Sequence, residues 1–344
     1  MNKRLKNKLV IFIIFLFIIF TTLVLITSNS IKQEIKIRLG YFYGGRLDSL
    51  YIAKMQGYFK EEGLDVELWT KIPDEKILIK LPDDNSTFMK MYEKNKLLGR
   101  MSGVEIIDEM MKDNLDGGGI GEASFITSTQ YSYPIIAVAE LGHCQRDKPC
   151  RGLVVRNGVN ITKPEDFKGK RVCFIREGSG DDALLKMFFD VNNISYKKDV
   201  ELVVVEDKNK FDLIRRGEVD ACLFHYHHIK HLIENEKNVY LYQGVDWVNP
   251  ELSLAVLVFK KDFIEKYPEV IEKFMKAFIK SLNEENKETT ELLGLADPVN
   301  ENPPLVRIKL LEEKQEIMLK YELIDKKVDL NKYIDNSFVL IISK

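Results

Sequence analysis

The feature that most constrains this chain is a strand and helix grammar that runs through it twice. Ile35-Lys36-Ile37-Arg38-Leu39 alternates strictly and stops at Gly44-Gly45, the period of a strand with one buried face. Leu50 to Met55 then reads as a helix ended by Gly57, and Leu64 to Trp69 alternates again, which completes a βαβ unit. From residue 152 the pattern restarts. Gly152–Arg156, Arg171–Ile175, Val200–Val205 and Val219–Phe224 read as strands, with helices over Ala183–Val191 and Phe211–Arg216. Strands alternating with helices predict an α/β architecture with parallel sheets, and residues 150–250 form one such parallel lobe. Leu254–Phe259 is a further apolar strand, followed by amphipathic helices over Pro268–Asn283 and Arg307–Tyr321 that return the chain to its first lobe. Residues 71–98, polar and broken by Pro73 and Pro82, read as an insertion with one short helix around Thr87–Lys94. Val104–Leu115 has helical spacing, and Asp116-Gly117-Gly118-Gly119-Ile120-Gly121 reads as a loop.

Lys3, Arg4, Lys6 and Lys8 precede an uncharged, apolar run of 18 residues from Leu9 to Ile26. A basic flank before such a run directs the downstream chain out of the cytoplasm. Its length fits a retained membrane anchor, while Ser28-Asn29-Ser30 also permits cleavage as a signal peptide. The expected location is the extracytoplasmic side of the cell membrane. Setting the four N-terminal cations aside leaves 47 basic against 53 acidic residues. With no basic block, nucleic acid is excluded as a partner. Export also places Cys144, Cys150, Cys173 and Cys222 where disulfides persist. Cys144 and Cys150 bracket a short polar loop and can pair locally; Cys173 and Cys222 sit in apolar strands and read as two buried thiols.

Four blocks resemble a known family: Gly40-Tyr41-Phe42 with Leu50-Tyr51-Ile52-Ala53 and Gly57-Tyr58-Phe59-Lys60-Glu61-Glu62-Gly63-Leu64-Asp65-Val66; Pro164-Glu165-Asp166-Phe167-Lys168-Gly169-Lys170-Arg171-Val172; Arg216-Gly217-Glu218-Val219-Asp220-Ala221; and Phe263 to Val270. These are similar to the type 2 periplasmic binding proteins of the nitrate, sulfonate, taurine and thiamine-precursor group. The resemblance implies a two-lobed fold of two doubly wound α/β lobes, with a hinge and a ligand cleft between them. Lobe I is expected at 35–150 plus 253–340 and lobe II at 151–252, after an N-terminal anchor or signal segment at 1–30. It further implies capture of a small organic nutrient for an ABC importer, with its permease subunits as partners and no cofactor. The insertion and the last 50 residues depart from the family pattern.

Ligands in such sheets sit beyond the carboxyl ends of the strands, so four loops supply candidates. Tyr43 and Arg46 flank glycines that admit close backbone approach. Ser124 stands at a helix start, where amides and small hydroxyls meet ligand groups; Glu122 beside it is awkward for an anion and favours an amine or amidine, unless it is only a solvated carboxylate at a helix start. Ser179 and Gly180 open another helix. His225 and Tyr226 end a strand and suit a planar or polar ligand. His227 and His231 are four apart, as metal ligands on a helix can be, but no third ligand is evident. No Ser/His/Asp or Cys/His arrangement marks an enzyme. A pyrimidine-precursor synthase or a sensory ectodomain is the alternative.

Overall fold

The computed structural model describes residues 35–41, 48–71, 77–95, 101–144, 150–205, 210–225, 228, 229, 232, 239–242, 252–285, 291, 292, 295, 296 and 301–342. The apolar run at 9–26 and the expected segment at 1–30 lie outside them. Among the described residues no helix is long and apolar enough to cross a membrane.

The first half runs β1 (Ile35–Gly40), α1 (Asp48–Met55), α2 (Tyr58–Glu61), β2 (Leu64–Lys71), β3 (Leu78–Lys80), α3 (Asn85–Asn95), α4 (Gly103–Met111), β4 (Gly117–Gly121), α5 (Glu122–Gln130) and β5 (Ile135–Glu140). A two-residue strand, β6 (His143–Cys144), leads to β7 (Arg151–Arg156), β8 (Arg171–Phe174), α6 (Gly180–Val191), β9 (Glu201–Val204), α7 (Lys210–Arg216), β10 (Ala221–His225) and β11 (Val239–Tyr242). The chain returns through β12 (Leu252–Ser253) to β13 (Ala255–Lys260), α8 (Lys261–Lys266), α9 (Pro268–Glu285), α10 (Ile308–Lys320) and α11 (Ser337–Ile342).

Two sheets result. The larger has the order β3-β2-β1-β4-β13-β5 and the smaller β11-β7-β10-β8-β9. The smaller is mixed rather than parallel throughout: β8 is parallel to β9 and β10, while β7 runs antiparallel to both β10 and β11. The strand that enters from the first sheet therefore joins against the grain of its neighbours. Between the sheets, β6 and β12 pair as a short antiparallel ribbon, so both connections run side by side.

The glycine run read as a loop is β4, a central strand parallel to β1 and antiparallel to β13. Glycine is normally depleted in strands, but close approach of other chain segments reverses the preference. A Cβ on Gly117 would lie 2.5 Å from the Val258 carbonyl oxygen, and one on Gly118 2.8 Å from Ile106 Cγ2. The bare strand lets α4 settle against the sheet. Its start is fixed by a capping box, in which Ser102 Oγ accepts from the Glu105 amide and the Glu105 carboxylate accepts from the Ser102 amide. Its end is fixed by Glu109, buried with Asn114, Lys71 and Lys112 donating to or pairing with it. Burial alone raises the Glu109 pKa, but these three partners outweigh it and hold the carboxyl at about 2.

The insertion is packed rather than loose. Phe88 of α3 is fully buried with its ring 4.4 Å from that of Tyr51, and the Leu81 amide donates to Leu68 O at 2.8 Å. Tyr41 is fully buried near Tyr51. The C-terminal segment joins the first sheet: Arg307 forks onto the buried Glu140 at 2.8 and 3.1 Å, and the Glu140 amide donates to Pro304 O at 2.9 Å.

All four cysteines are paired. Cys144–Cys150 closes the loop as anticipated, with Cα atoms 5.6 Å apart. Cys173 and Cys222, expected as thiols, form a disulfide instead, because β8 and β10 place them directly opposite in register with Cα atoms 4.5 Å apart. A thiol titration in denaturant without reductant should find no free sulfhydryl, rising to four after reduction; a basal value of two would exclude one pair. Replacing Gly118 by Ala should cost about 1–3 kcal/mol in denaturant unfolding, as overpacking does. A folded-state pKa below the unfolded one contributes stability that is complete above the unfolded pKa and lost as pH falls through the folded value. The wild type should therefore weaken from about pH 4.5 towards 2, with Glu109→Gln flattening that slope.

Candidate functional site: a charged cleft between the sheets

The carboxyl ends of β4, β8 and β10 and the amino end of the antiparallel β7 face one another across the gap between the two sheets. On the first side, the chain leaves β4 at Gly121 and turns directly into α5. The Glu122 amide donates to Leu254 O at 3.2 Å, which ties the start of α5 to the returning crossover. Glu122 and Ser124 are both buried there. The start of α4 abuts them, since a Cβ on Gly103 would lie 2.8 Å from Ser124 Cβ.

On the second side, Arg176 to Gly180 forms a tight connection into α6. Gly178 adopts φ +68°, a conformation that favours glycine. Ser179 is the N-cap: its hydroxyl accepts from the Asp182 amide at 3.2 Å and donates to Arg176 O at 2.6 Å. The Gly178 amide donates to Asp182 Oδ2 at 2.8 Å, and Lys186 pairs with Asp182 at 3.0 Å. Arg151 begins β7 one residue after the disulfide-bonded Cys150 and stands opposite His225 in register. Its Nε lies 3.2 Å from Asp181 Oδ1, and His225 Nε2 lies 3.7 Å from the same oxygen.

The two sides touch. Arg176 Nη2 donates to Ser124 Oγ at 3.2 Å. Lys314 of α10 lies 3.7 Å from Glu122 Oε1 and donates to Gly180 O at 3.4 Å. Gly180 approaches so closely that an added Cβ would meet Glu122 Oε1. Arg151, Asp181, Glu122 and Lys314 are each at most 3% exposed. Burial pulls the Arg176 guanidinium below its ordinary pKa, against the opposing fields of Asp181, Glu105 and Glu122. A second seam joins α10 to α6: Lys320 pairs with Asp190 at 2.6 Å, the Tyr321 hydroxyl donates to Asp190 at 3.0 Å, and Tyr196 meets the Tyr321 ring edge-on at 5.8 Å.

Of the residues singled out in the sequence, Ser124, Ser179, Gly180 and His225 are brought into this one region. Tyr43, Arg46 and Tyr226 lie outside the described residues, as do His227 and His231. The Ser179 hydroxyl is committed to its cap. His228 is a core histidine, 5% exposed and edge-on to Phe211. Among the described residues no group of three or more His, Cys, Asp or Glu is placed to hold a metal. Sequence reasoning missed Arg151, Asp181, Arg176 and Lys314. Arg176 and Asp181 flank the glycine-serine turn and were within reach of it. Lys314 gives no local signal, because a lysine in an amphipathic helix reads as solvent-facing until the second lobe is known to cover it.

An α/β pair of sheets joined by two adjacent crossovers, with charged side chains gathered between them, defines the architecture of a two-lobed binding protein. The profile of the family described as NMT1/THI5 like matches residues 47–109 and 118–286, and the chain belongs to that family. A curated relative, the putative aliphatic sulfonates-binding protein of Bacillus subtilis (strain 168), is 22% identical over 332 residues, covering 91% of this chain and 89% of the relative. Among solved structures, the periplasmic nitrate-binding protein NrtA from Synechocystis PCC 6803 aligns with a TM-score of 0.66 at 13% identity, over 90% of this chain and 89% of that one. The alkanesulfonate-binding protein SsuA from Xanthomonas axonopodis pv. citri, bound to MOPS, aligns with a TM-score of 0.61 at 13% identity, over 88% and 99%. These similarities agree with the fold read from the sequence.

Replacing Gly180 by Ala should displace the Glu122 carboxylate, the flexible end of its side chain, without moving the backbone on either side. Small-angle scattering should find the dimensions of Gly180→Ala and Ser179→Ala unchanged, while Ser179→Ala should cost about 1 kcal/mol in unfolding, the usual loss for a cap.

Proposed function

We propose that the protein is the extracytoplasmic solute-binding component of an ABC-type importer, closing its two lobes on a small organic nitrogen or sulfur nutrient and presenting it to permease subunits. The observation that carries this reading is the cross-cleft contact of Arg176 with Ser124 and of Lys314 with Gly180: polar groups at strand ends, from both sides, converge where a ligand would be enclosed. The names of the sulfonate-binding and nitrate-binding relatives support it. The lobes are taken as 35–150 with 253–340, and 151–252, with the β6/β12 ribbon as hinge. Residues 1–30 serve as membrane anchor or cleaved signal, as the basic flank and apolar run favour. Ser124, Gly180 and His225 are the site residues of this reading, Ser179 shapes their loop, and Tyr43, Arg46 and Tyr226 are the further candidates that the sequence supplies.

Binding needs no nucleophile. His225 and Asp181 make an imidazole and carboxylate pair, but the hydroxyl of Ser179 is spent on its cap, and this favours capture over catalysis.

Thermal unfolding against sulfonates, nitrate, aminated acids and pyrimidines tests the reading. A solute at 100 times its Kd should contribute about 2.7 kcal/mol and raise the midpoint. No stabilisation by any compound, or conversion of one of them, contradicts it.

A further inference from the structure

The far end of α6 meets the C-terminal segment at a place the candidate solute site does not use. Asp190 accepts from Lys320 Nζ at 2.6 Å and from the Tyr321 hydroxyl at 3.0 Å. Tyr196, packed against the core of the second sheet, meets the Tyr321 ring edge-on at 5.8 Å. Lys197 pairs with Glu322 at 3.3 Å beside them. Gly180 and Asp190 stand at opposite ends of α6, about 15 Å apart at the helical rise of about 1.5 Å per residue. A solute held at the start of the helix therefore leaves these side chains untouched.

The segment that reaches across is fastened to the first sheet on both flanks of α10. Ahead of it, Arg307 forks onto Glu140, and the Val306 amide donates to Asn336 Oδ1 at 2.9 Å. Beyond it, the Val328 amide donates to Gln315 Oε1 at 2.8 Å, and Gln130 Nε2 of α5 donates to Lys326 O at 2.7 Å. Lys320 and Tyr321 thus move with the first sheet, while Asp190 and Tyr196 move with the second. An exposed ion pair alone holds little, and the Lys320 and Asp190 side chains are 62% and 44% exposed. Tyr321 is different, for it is 4% exposed. A buried phenol needs a partner for its hydroxyl, and this one finds it across the gap. Burial raises the Tyr321 pKa and keeps the hydroxyl a donor, while Lys320 and Tyr321 hold the Asp190 carboxyl below its ordinary range and keep it an acceptor.

We propose that this seam is a solute-independent clasp, in which the C-terminal strap grips Asp190 and Tyr196 through Lys320 and Tyr321, holds the two lobes closed and sets the resting ratio of closed to open protein. Apparent affinity scales with the fraction of protein in the binding-competent state, so the clasp tunes capture without touching what is captured.

The clasp acts whatever the solute, and its test uses none. Spin labels are placed on Glu165→Cys in the second lobe and Glu269→Cys in the first, both exposed positions, in the full chain in detergent without reductant, so that the native disulfides persist. Pulsed electron spin resonance then reads the distance between them. Wild-type clasp residues should give chiefly the separation seen in the structure. Asp190→Lys, which sets a second cation against Lys320, should move population to longer separations and lower the closed-to-open ratio about tenfold, the scale of one lost hydrogen bond to a charged group. Adding Tyr321→Ala should open the protein further, and adding Lys320→Glu to Asp190→Lys instead should restore most of the closed population. Positions 190 and 320 are exposed, so this reversed pair keeps the fold, which circular dichroism checks. A wild-type distribution centred on longer separations overturns the inference, because the seam then does not hold without solute. Unchanged distances in Asp190→Lys and in its combination with Tyr321→Ala overturn it as well, as does opening that Lys320→Glu fails to reverse.

Discussion

Burying a charge is tolerable only when a partner is buried with it. In this protein the buried pairs Glu122–Lys314 and Arg151–Asp181 each sit with one of the two sheets, and the two sides meet through hydrogen bonds, Lys314 to Gly180 O and Arg176 to Ser124 Oγ. Contact between the sides therefore supplies acceptors to both cations. A molecule that supplies better partners than the lobes supply one another shifts the balance between open and closed, and by no more than its differential affinity for the two states.

The precision of that closure depends on backbone devices far simpler than the charges. The bare strand β4 brings α4 and α5 close enough for Gly103 to abut Ser124. The N-cap at Ser179 and the left-handed Gly178 fix the loop that meets them. The disulfide between Cys144 and Cys150 ends one residue before Arg151, so the β6 strand and the first cation of the site are covalently tied. Cys173–Cys222 staples two neighbouring strands of the second sheet, below the turn that carries Arg176.

Much of the fold is legible in the sequence because period carries it. The alternating runs at 35–39 and 64–69 and the apolar strands at 171–175 and 219–224 all became strands near their expected bounds. The glycine strand was illegible for a physical reason: its side-chain pattern is empty, and only its packing against Val258 and Ile106 explains it. The antiparallel β7 and the Cys173–Cys222 bond depend on which strands become neighbours, which no local pattern encodes. The site divides the same way. Loops at strand ends pointed to Ser124, Gly180 and His225, whereas Arg151 and Lys314 enter from a crossover and a distant helix. The same holds for the C-terminal segment, whose attachment through Arg307 and Glu140 spans 167 residues.

The most direct test of the account is a crystal structure of the protein with the tightest-binding solute from the panel. The account predicts that molecule enclosed between the sheets, within hydrogen-bond distance of Arg176 and of at least one group on α5. A solute seated elsewhere, or one that leaves the lobes separated at Gly180, would contradict it.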